Sequence, residues 1–459
     1  MTRTLWSGGR PVDAEVSAFT VGDDRNWDRR LLTWDILGTL GHVDGLAAAG
    51  VLDAAEREHL RAALREALAA AERGELTVTD EDEDVHTALE SWLVARLGPL
   101  GEKVHSGRSR NDQVLVDLRL YLKDRLLAVM DRLLDAAHAL LAFARRHRSV
   151  PLPGYTHQRR AMPSTLGLWA GGLAESLLDD LGPIEASLEL ADRSPLGSAA
   201  GYGVPLPLDR ELVARRLGFA AVQRNVTAVQ ASRGKLEATV LAALWPVGFD
   251  LSKLAWDVIL WSAEEYGFMI LPSELATGSS IMPHKRNPDP FELLRGRAGV
   301  LEGLALEVMA VAGRLPSGYH RDLQLTKGPM MRGLEIVEQM LAMVTFAVPR
   351  LGVDRDACRG AVTGDLLATD EVFRRVRGGT TFRTAYHQVA SEVRAGRPVP
   401  SLGTDEILAA RMSTGGAGSP GLAAAGADLR RWRHRVSRRR SAFTSALERL
   451  AHDPEDGAS

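Results

Sequence analysis

Cysteine is almost missing: Cys358 is the only one in 459 residues. A single thiol excludes an intramolecular disulfide and any metal site built from several cysteines, and it fits a reducing cytoplasm. An excess of charge of one sign is missing too. Lys and Arg number 56 against 59 Asp and Glu, a formal net charge of −3, so there is no global field suited to a nucleic acid or another polyanion. The opening, MTRTLWSGGRPVDAEV, lacks the apolar core that a signal peptide needs. No apolar run approaches the length that spans a bilayer. Strand signals are nearly absent, and there is no internal repeat or sustained heptad seam. The expectation is a soluble, cytoplasmic protein with neither nucleic acid nor membrane as partner. Its length allows two or three domains with ample buried core.

What is present is helix. From Asp28, apolar and small residues recur at three and four spacings through Leu31, Leu32, Ile36, Leu37, Leu40 and Leu46, and Gly50 closes the run. An alanine-rich helix spans about 53–75. The acidic run from Asp80 to Asp84 is placed to start a third helix, because carboxylates favour helix N-termini. Long apolar stripes follow over about 112–147, 164–192, 226–264, 291–312 and 330–351. Side by side these make a bundle of five long helices. The fold expected is all-α, in three domains: 1–110, a helical N-terminal domain; 111–352, the central bundle; 353–459, a small C-terminal helical domain. The last holds a glycine-rich link, STGGAGSPG, and a final helix with seven arginines between Arg430 and Arg440. Trp432, Val436, Phe443, Leu447 and Leu450 give that helix an apolar side, so its arginines read as a solvated face.

Three polar stretches interrupt this pattern. HSGRSRNDQ, His105 to Gln113, precedes the longest helix, and a helix start flanked by Ser106, Arg108, Ser109, Arg110 and Asn111 suits an anion. YTHQRRAMPST follows Pro151, Pro153 and Gly154. TGSSIMPHKRNPDPFE, Thr277 to Glu292, has a glycine end and a proline-pinned end, as a closing loop would. Asp289 there is expected to cap the next helix, with Pro290 at its first position and Glu292 at its third. Asp84 and His86 stand directly ahead of the first of these stretches.

The last stretch matches GSSxMPxKxNP at every fixed position and so resembles the signature loop of the fumarase/aspartase superfamily, whose members split C–N or C–O bonds and release fumarate. Adding HSGRSRNDQV, YTH, GYHRDLQLTK at 318–327 and LATDEVFRRVRGGTTFRTAYH, the chain is similar to the argininosuccinate lyase family from about Leu5 to Val389.

That resemblance implies a reversible β-elimination of argininosuccinate to arginine and fumarate, without metal or redox cofactor. A proton must leave carbon beside a carboxylate, so the site has to stabilise a doubly charged aci-carboxylate with fixed donors and cations. Lys285, Asn287 and the loop amides suit that task, and a serine can serve as base only where its alkoxide is stabilised. By resemblance Ser279 and His157 transfer the protons, in an order the residues leave open, and Glu292 orients His157. Thr156, Arg110, Asn111, Tyr319, Gln324 and Lys327 match substrate contacts, with Ser106, Ser109, Asp84 and His86 beside them. A homotetramer with active sites shared between subunits is implied as well. The chain departs from the commonest pattern at Arg159, Met162, Ser232, Gly234 and Gly328, and Thr20 and Asp24 stand in an N-terminal arm that lacks the usual serine. HKR within MPHKRNP reads like the adenylosuccinate version of the loop. Other readings are a lyase acting on adenylosuccinate or a specialised succinyl-amine, and a non-catalytic structural relative.

Overall fold

A computed structural model describes residues 13–397, 399 and 403–452. Residues 1–12, where the expected N-terminal domain and the family likeness begin, lie outside the described residues. Ten helices carry the architecture: α1 (Leu32–Ala48), α2 (Ala54–Glu72), α3 (Val85–Leu97), α4 (Arg110–Arg146), α5 (Leu166–Asp179), α6 (Leu181–Ala191), α7 (Lys235–Trp261), α8 (Asp289–Ala312), α9 (Lys327–Ala347) and α10 (Leu422–His452). The protein is all-α in class, with short two-stranded pairings between the helices.

α4 is the longest rod. Its 37 residues extend about 55 Å at 1.5 Å per residue. Ser109 starts it: the hydroxyl accepts from the Asn111 amide at 3.3 Å, and the Ser109 amide donates to Asp112 at 2.9 Å, a reciprocal cap that satisfies amides without intrahelical acceptors. α7 and α8 lie side by side, with α9 against both and α4 along α5 and α9. Phe291, Leu294, Leu301, Leu304 and Val308 of α8 are buried at helical spacing. Gly333 of α9 lets α7 approach, since a Cβ there would stand 2.3 Å from Leu241. One continuous apolar core joins α1 through α9 and reaches Val436, Phe443 and Leu450 of α10. A separate small core, Val372, Ala385 and Val389, holds the helices at 368–394 together.

Four expectations need correction. The stripe at 164–192 is two helices, broken at Asp180, because Pro183 has no amide with which to continue the ladder. The stripe at 226–264 is interrupted by Gly234, whose φ of +73° ends the helical path before α7. Strands are not absent from 151–165: β1 (Pro151–Thr156) and β2 (Arg159–Thr165) form an antiparallel hairpin. Finally, α7 is long and apolar enough to cross a membrane by length and composition, and 56% of its most apolar window is buried, packed on α8, α9 and α6.

Candidate active site

The hairpin β1–β2 turns at His157 and Gln158, with φ of 53° and 58°. A two-residue hairpin with positive φ at both central residues is a type I′ turn, yet neither residue here is glycine, asparagine or aspartate, so the turn carries strain of about 1–2 kcal/mol per residue. Strained non-glycine positions gather at functional sites. Thr156 and His157 are exposed at this tip. Beneath it lies a cavity of about 810 Å³ lined by Tyr155, Gln158, Trp169, Trp256, Trp261 and Tyr266.

The signature loop is a second hairpin. β3 (Thr277–Gly278) pairs antiparallel with β4 (Arg286–Asn287), leaving residues 279–285 as its tip. The half-buried Ser279 turns its hydroxyl oxygen back onto the tip, accepting from the Met282 amide at 3.1 Å and more weakly from the Ile281 amide at 3.4 Å. Two N–H dipoles aimed at that oxygen favour its charged form. Lys285 is exposed, and the Asn287 side-chain amide donates across the hairpin to the Gly278 carbonyl at 3.4 Å. Asp289 does not cap α8 as expected. Its carboxylate accepts from the Thr277 hydroxyl and ties the two ends of the loop, while Pro288 takes the cap position. Glu292 is exposed in the first turn of α8.

The N-terminus of α4 is a third centre. Arg110 reaches Asp84 at 2.7 Å and Glu83 at 3.1 Å, and donates to the Thr87 hydroxyl at 3.0 Å. Asp84 also caps α3, accepting from the Thr87 amide and hydroxyl, each at 2.8 Å. Burial would push its carboxyl up, but the His86 and Arg110 charges and these two bonds bring it below its ordinary value. Ser106 and Asn111 are half-buried beside this cluster, and the Ser106 carbonyl lies 2.9 Å from His42 Nε2. Burial, with Arg108 and Arg110 near, drops His105 to about 4.

His86 points into the protein. It is buried, with Nδ1 at 3.0 Å from Asp35 and 3.7 Å from Asp117. Burial opposes its charge, yet the Asp35 and Asp84 carboxylates hold it above the ordinary histidine value. Burial and the neighbouring Asp35 push Asp117 well up. Among the described residues, Asp35, His86 and Asp117 are the one group of His, Cys, Asp and Glu whose ligating atoms lie close enough to hold a metal ion. Arg108 and Lys327 already supply positive charge beside it.

Residues 319–327 meet the N-terminal arm. Gln324 donates to the carbonyls of Thr20 at 3.0 Å and Val21 at 3.2 Å. The buried Lys327 ammonium sits 2.9 Å from Asp24 and also contacts Asp28. Burial pushes Asp24 up to about 6 despite that ammonium. Tyr319 is exposed, with the Arg233 guanidinium 5.1 Å from its ring centre.

One chain therefore gathers Asp84, Arg110, Gln324 and Lys327 with the arm at 20–28, and Arg321, 4.0 Å from Glu83, bridges the two halves of that group. It does not gather the rest. Among the described residues, no hydrogen bond or ion pair joins Ser279, Lys285, His157 and Glu292 to one another. Glu83, Thr87, Asp28 and Asp35 escaped the sequence reading, and the signal for Asp35 was a carboxylate inside an apolar stripe. Several departures have local packing reasons. A side chain at Gly328 would meet the Trp27 indole at 2.7 Å, and one at Gly234 would meet Ala312 at 2.3 Å. The Ser232 hydroxyl accepts from the buried Arg119 at 3.1 Å. Met162 and Arg159 are exposed on β2.

A family model described as "Lyase" matches residues 21–303. The chain is 47% identical over 422 residues to the argininosuccinate lyase of Sorangium cellulosum, covering 92% of this chain and 97% of that protein. It is 42% identical over 392 residues to that of Thermotoga neapolitana, covering 85% and 98%. Among solved structures, an EDDS lyase variant with bound fumarate superposes with a TM-score of 0.77 at 22% identity, over 96% of this chain and 95% of that one. The class II fumarase of Schistosoma mansoni gives 0.70 at 17% identity, over 83% and 89%. By this likeness in sequence along most of its length, the chain belongs to the argininosuccinate lyase family of the fumarase/aspartase superfamily.

Proposed function

We propose that the protein splits argininosuccinate into L-arginine and fumarate by reversible β-elimination, as a C–N lyase of arginine biosynthesis. The observation that carries this reading is the 47% identity to an argininosuccinate lyase across 92% of the chain. Ser279 and His157 exchange the protons. One takes the proton from carbon beside the carboxylate, the C–N bond breaks, and the other returns a proton to the leaving nitrogen. Lys285, Asn287 and the amides at the loop tip stabilise the aci-carboxylate, and the two amides on Ser279 Oγ stabilise its deprotonated form in either order. Arg110, Asn111, Thr156, Ser106 and Ser109 hold the carboxylates, while Tyr319, Gln324 and Lys327 face the amino-acid end, with Asp84 and His86 behind Arg110.

The working form in this reading is a homotetramer whose active sites are completed between subunits. Two observations support it. Among the described residues no hydrogen bond or ion pair joins Ser279 to His157, and Trp245, Phe249 and Trp256 of α7 with Leu293, Val300, Leu306 and Met309 of α8 leave large apolar side chains exposed. We take the protein to work in the cytoplasm, where the single buried thiol of Cys358 stays reduced. The test is fumarate release from argininosuccinate and adenylosuccinate in parallel, followed by ultraviolet absorbance. Release from argininosuccinate alone is expected, and release from adenylosuccinate alone would overturn the substrate assignment.

A further inference from the structure

Two adjoining cavities open where the C-terminal half of α4 meets the start of α10, apart from every side chain given a role above. One, of about 780 Å³, is lined by Arg145, Arg148, Arg430, Ser419 and the first turn of α10. The other, of about 460 Å³, shares Arg145 and Arg430 and adds His138, Asp135 and Arg433. Asp135 is the one carboxylate in either lining, and it is taken up by Arg433 at 2.9 Å.

Arg145 and Arg430 converge. A Cβ placed on Gly426 would stand 2.7 Å from Arg145 Nη2 and 3.7 Å from Arg430 Nη1, so both guanidiniums lean over one glycine. Among the described residues neither has an ion-pair partner. Other arginines of α10 differ: Arg435 lies 2.6 Å from Glu185, Arg439 3.0 Å from Glu189 and Arg440 2.8 Å from Asp131. Like charges brought together without a carboxylate repel, and an anion between them reverses the sign of that interaction. A glycine inside a helix is also unfavourable by about 1 kcal/mol relative to alanine, and here it leaves room for the Arg145 guanidinium. Arg148 holds the glycine-rich link in place by donating to the Gly418 carbonyl at 3.3 Å. That link leads through Gly421 (φ +70°) into Leu422, Ala423 and Ala424, whose amides precede the first intrahelical acceptor.

We propose that this cleft binds the phosphoryl group of a small phosphorylated molecule, clamped between Arg145 and Arg430 against the start of α10. Guanidinium forks on two sides and a helix start on a third supply more donors than one carboxylate can accept, and they match the several oxygens of a phosphoryl group. The same chemistry could come from free phosphate or from a nucleotide. The test is calorimetric titration of the full-length protein with inorganic phosphate, pyrophosphate and ATP at fixed ionic strength. It is repeated on Arg430→Gln and on Arg145→Gln/Arg430→Gln, both checked for native circular dichroism. Saturable binding is expected, weakened at least about tenfold by each lost guanidinium. ATP binding well above pyrophosphate would identify a nucleotide as the source; equal binding would identify free phosphate. Absence of saturable binding of all three to the wild-type protein, or unchanged affinity in Arg430→Gln, would overturn the proposal.

Discussion

Lys327→Met separates two roles for one residue, a substrate contact and a structural clamp. The Lys327 side chain is almost fully buried, 2.9 Å from Asp24 and in contact with Asp28, which is itself 2% exposed. Methionine keeps most of the volume and removes the charge, leaving two carboxylates one helical turn apart without their shared cation. Breaking a buried ion pair in this way destabilises by about 3–5 kcal/mol. The pH dependence follows from Asp24, which titrates at about 6 even with the ammonium beside it. Without Lys327 its pKa in the folded chain rises further above the unfolded value. The native state then binds more protons than the unfolded state as pH falls, so acidification restores stability. The loss is therefore largest near pH 8 and shrinks below pH 6. Urea midpoints followed by tryptophan fluorescence at the two pH values measure it. A change below about 1 kcal/mol at pH 8, with KM for argininosuccinate sharply raised, would refute the clamp and leave Lys327 as a substrate ligand.

His157→Asn keeps a residue that tolerates positive φ while removing the imidazole. It should lower kcat by about 10²–10⁴-fold with the oligomer intact by size exclusion, whereas dissociation would recast His157 as structural. Ser279→Ala and His157→Asn, each expected to be strongly impaired alone, should recover part of the activity when refolded together, because mixed assemblies pair intact segments from different chains. No recovery would contradict a shared site. Asp180, between α5 and α6, is pushed up to about 7 by burial and then by Asp250 and Asp179. Its ionisation in the fold therefore destabilises progressively from the unfolded carboxylate range to pH 7. Asp180→Asn should stabilise at pH 8 by up to about 4 kcal/mol and give no gain near pH 4, and an equal gain at both would contradict the cause.

The long helices were legible because their apolar residues recur at helical spacing, and the start of α4 was legible because Ser109 and Asp112 form a local cap. The breaks were not. Pro183 and Gly234 act through one missing amide and one positive φ, neither of which disturbs an apolar stripe. The hairpin at 151–165 hid for a related reason: its prolines read as a helix boundary, and His157–Gln158 lacks the Asn-Gly turn signal. Ser279, Lys285 and His157 came from motif resemblance, since no periodicity marks a hairpin tip. The partners of Arg110 and Lys327 depend on three-dimensional neighbours, Glu83 and Asp28, that no spacing reveals. The capping role expected of Asp289 failed because the Thr277 hydroxyl, twelve residues earlier, competes for the same carboxylate.

If the Ser279 hairpin drives C–N elimination from argininosuccinate, fumarate release by the wild-type protein and by Ser279→Ala at equal concentration must differ. Steady release by the wild type and none above background by the variant are expected, with both eluting as the same oligomer. Undiminished release by Ser279→Ala, or no release by a correctly assembled wild type, would contradict that role.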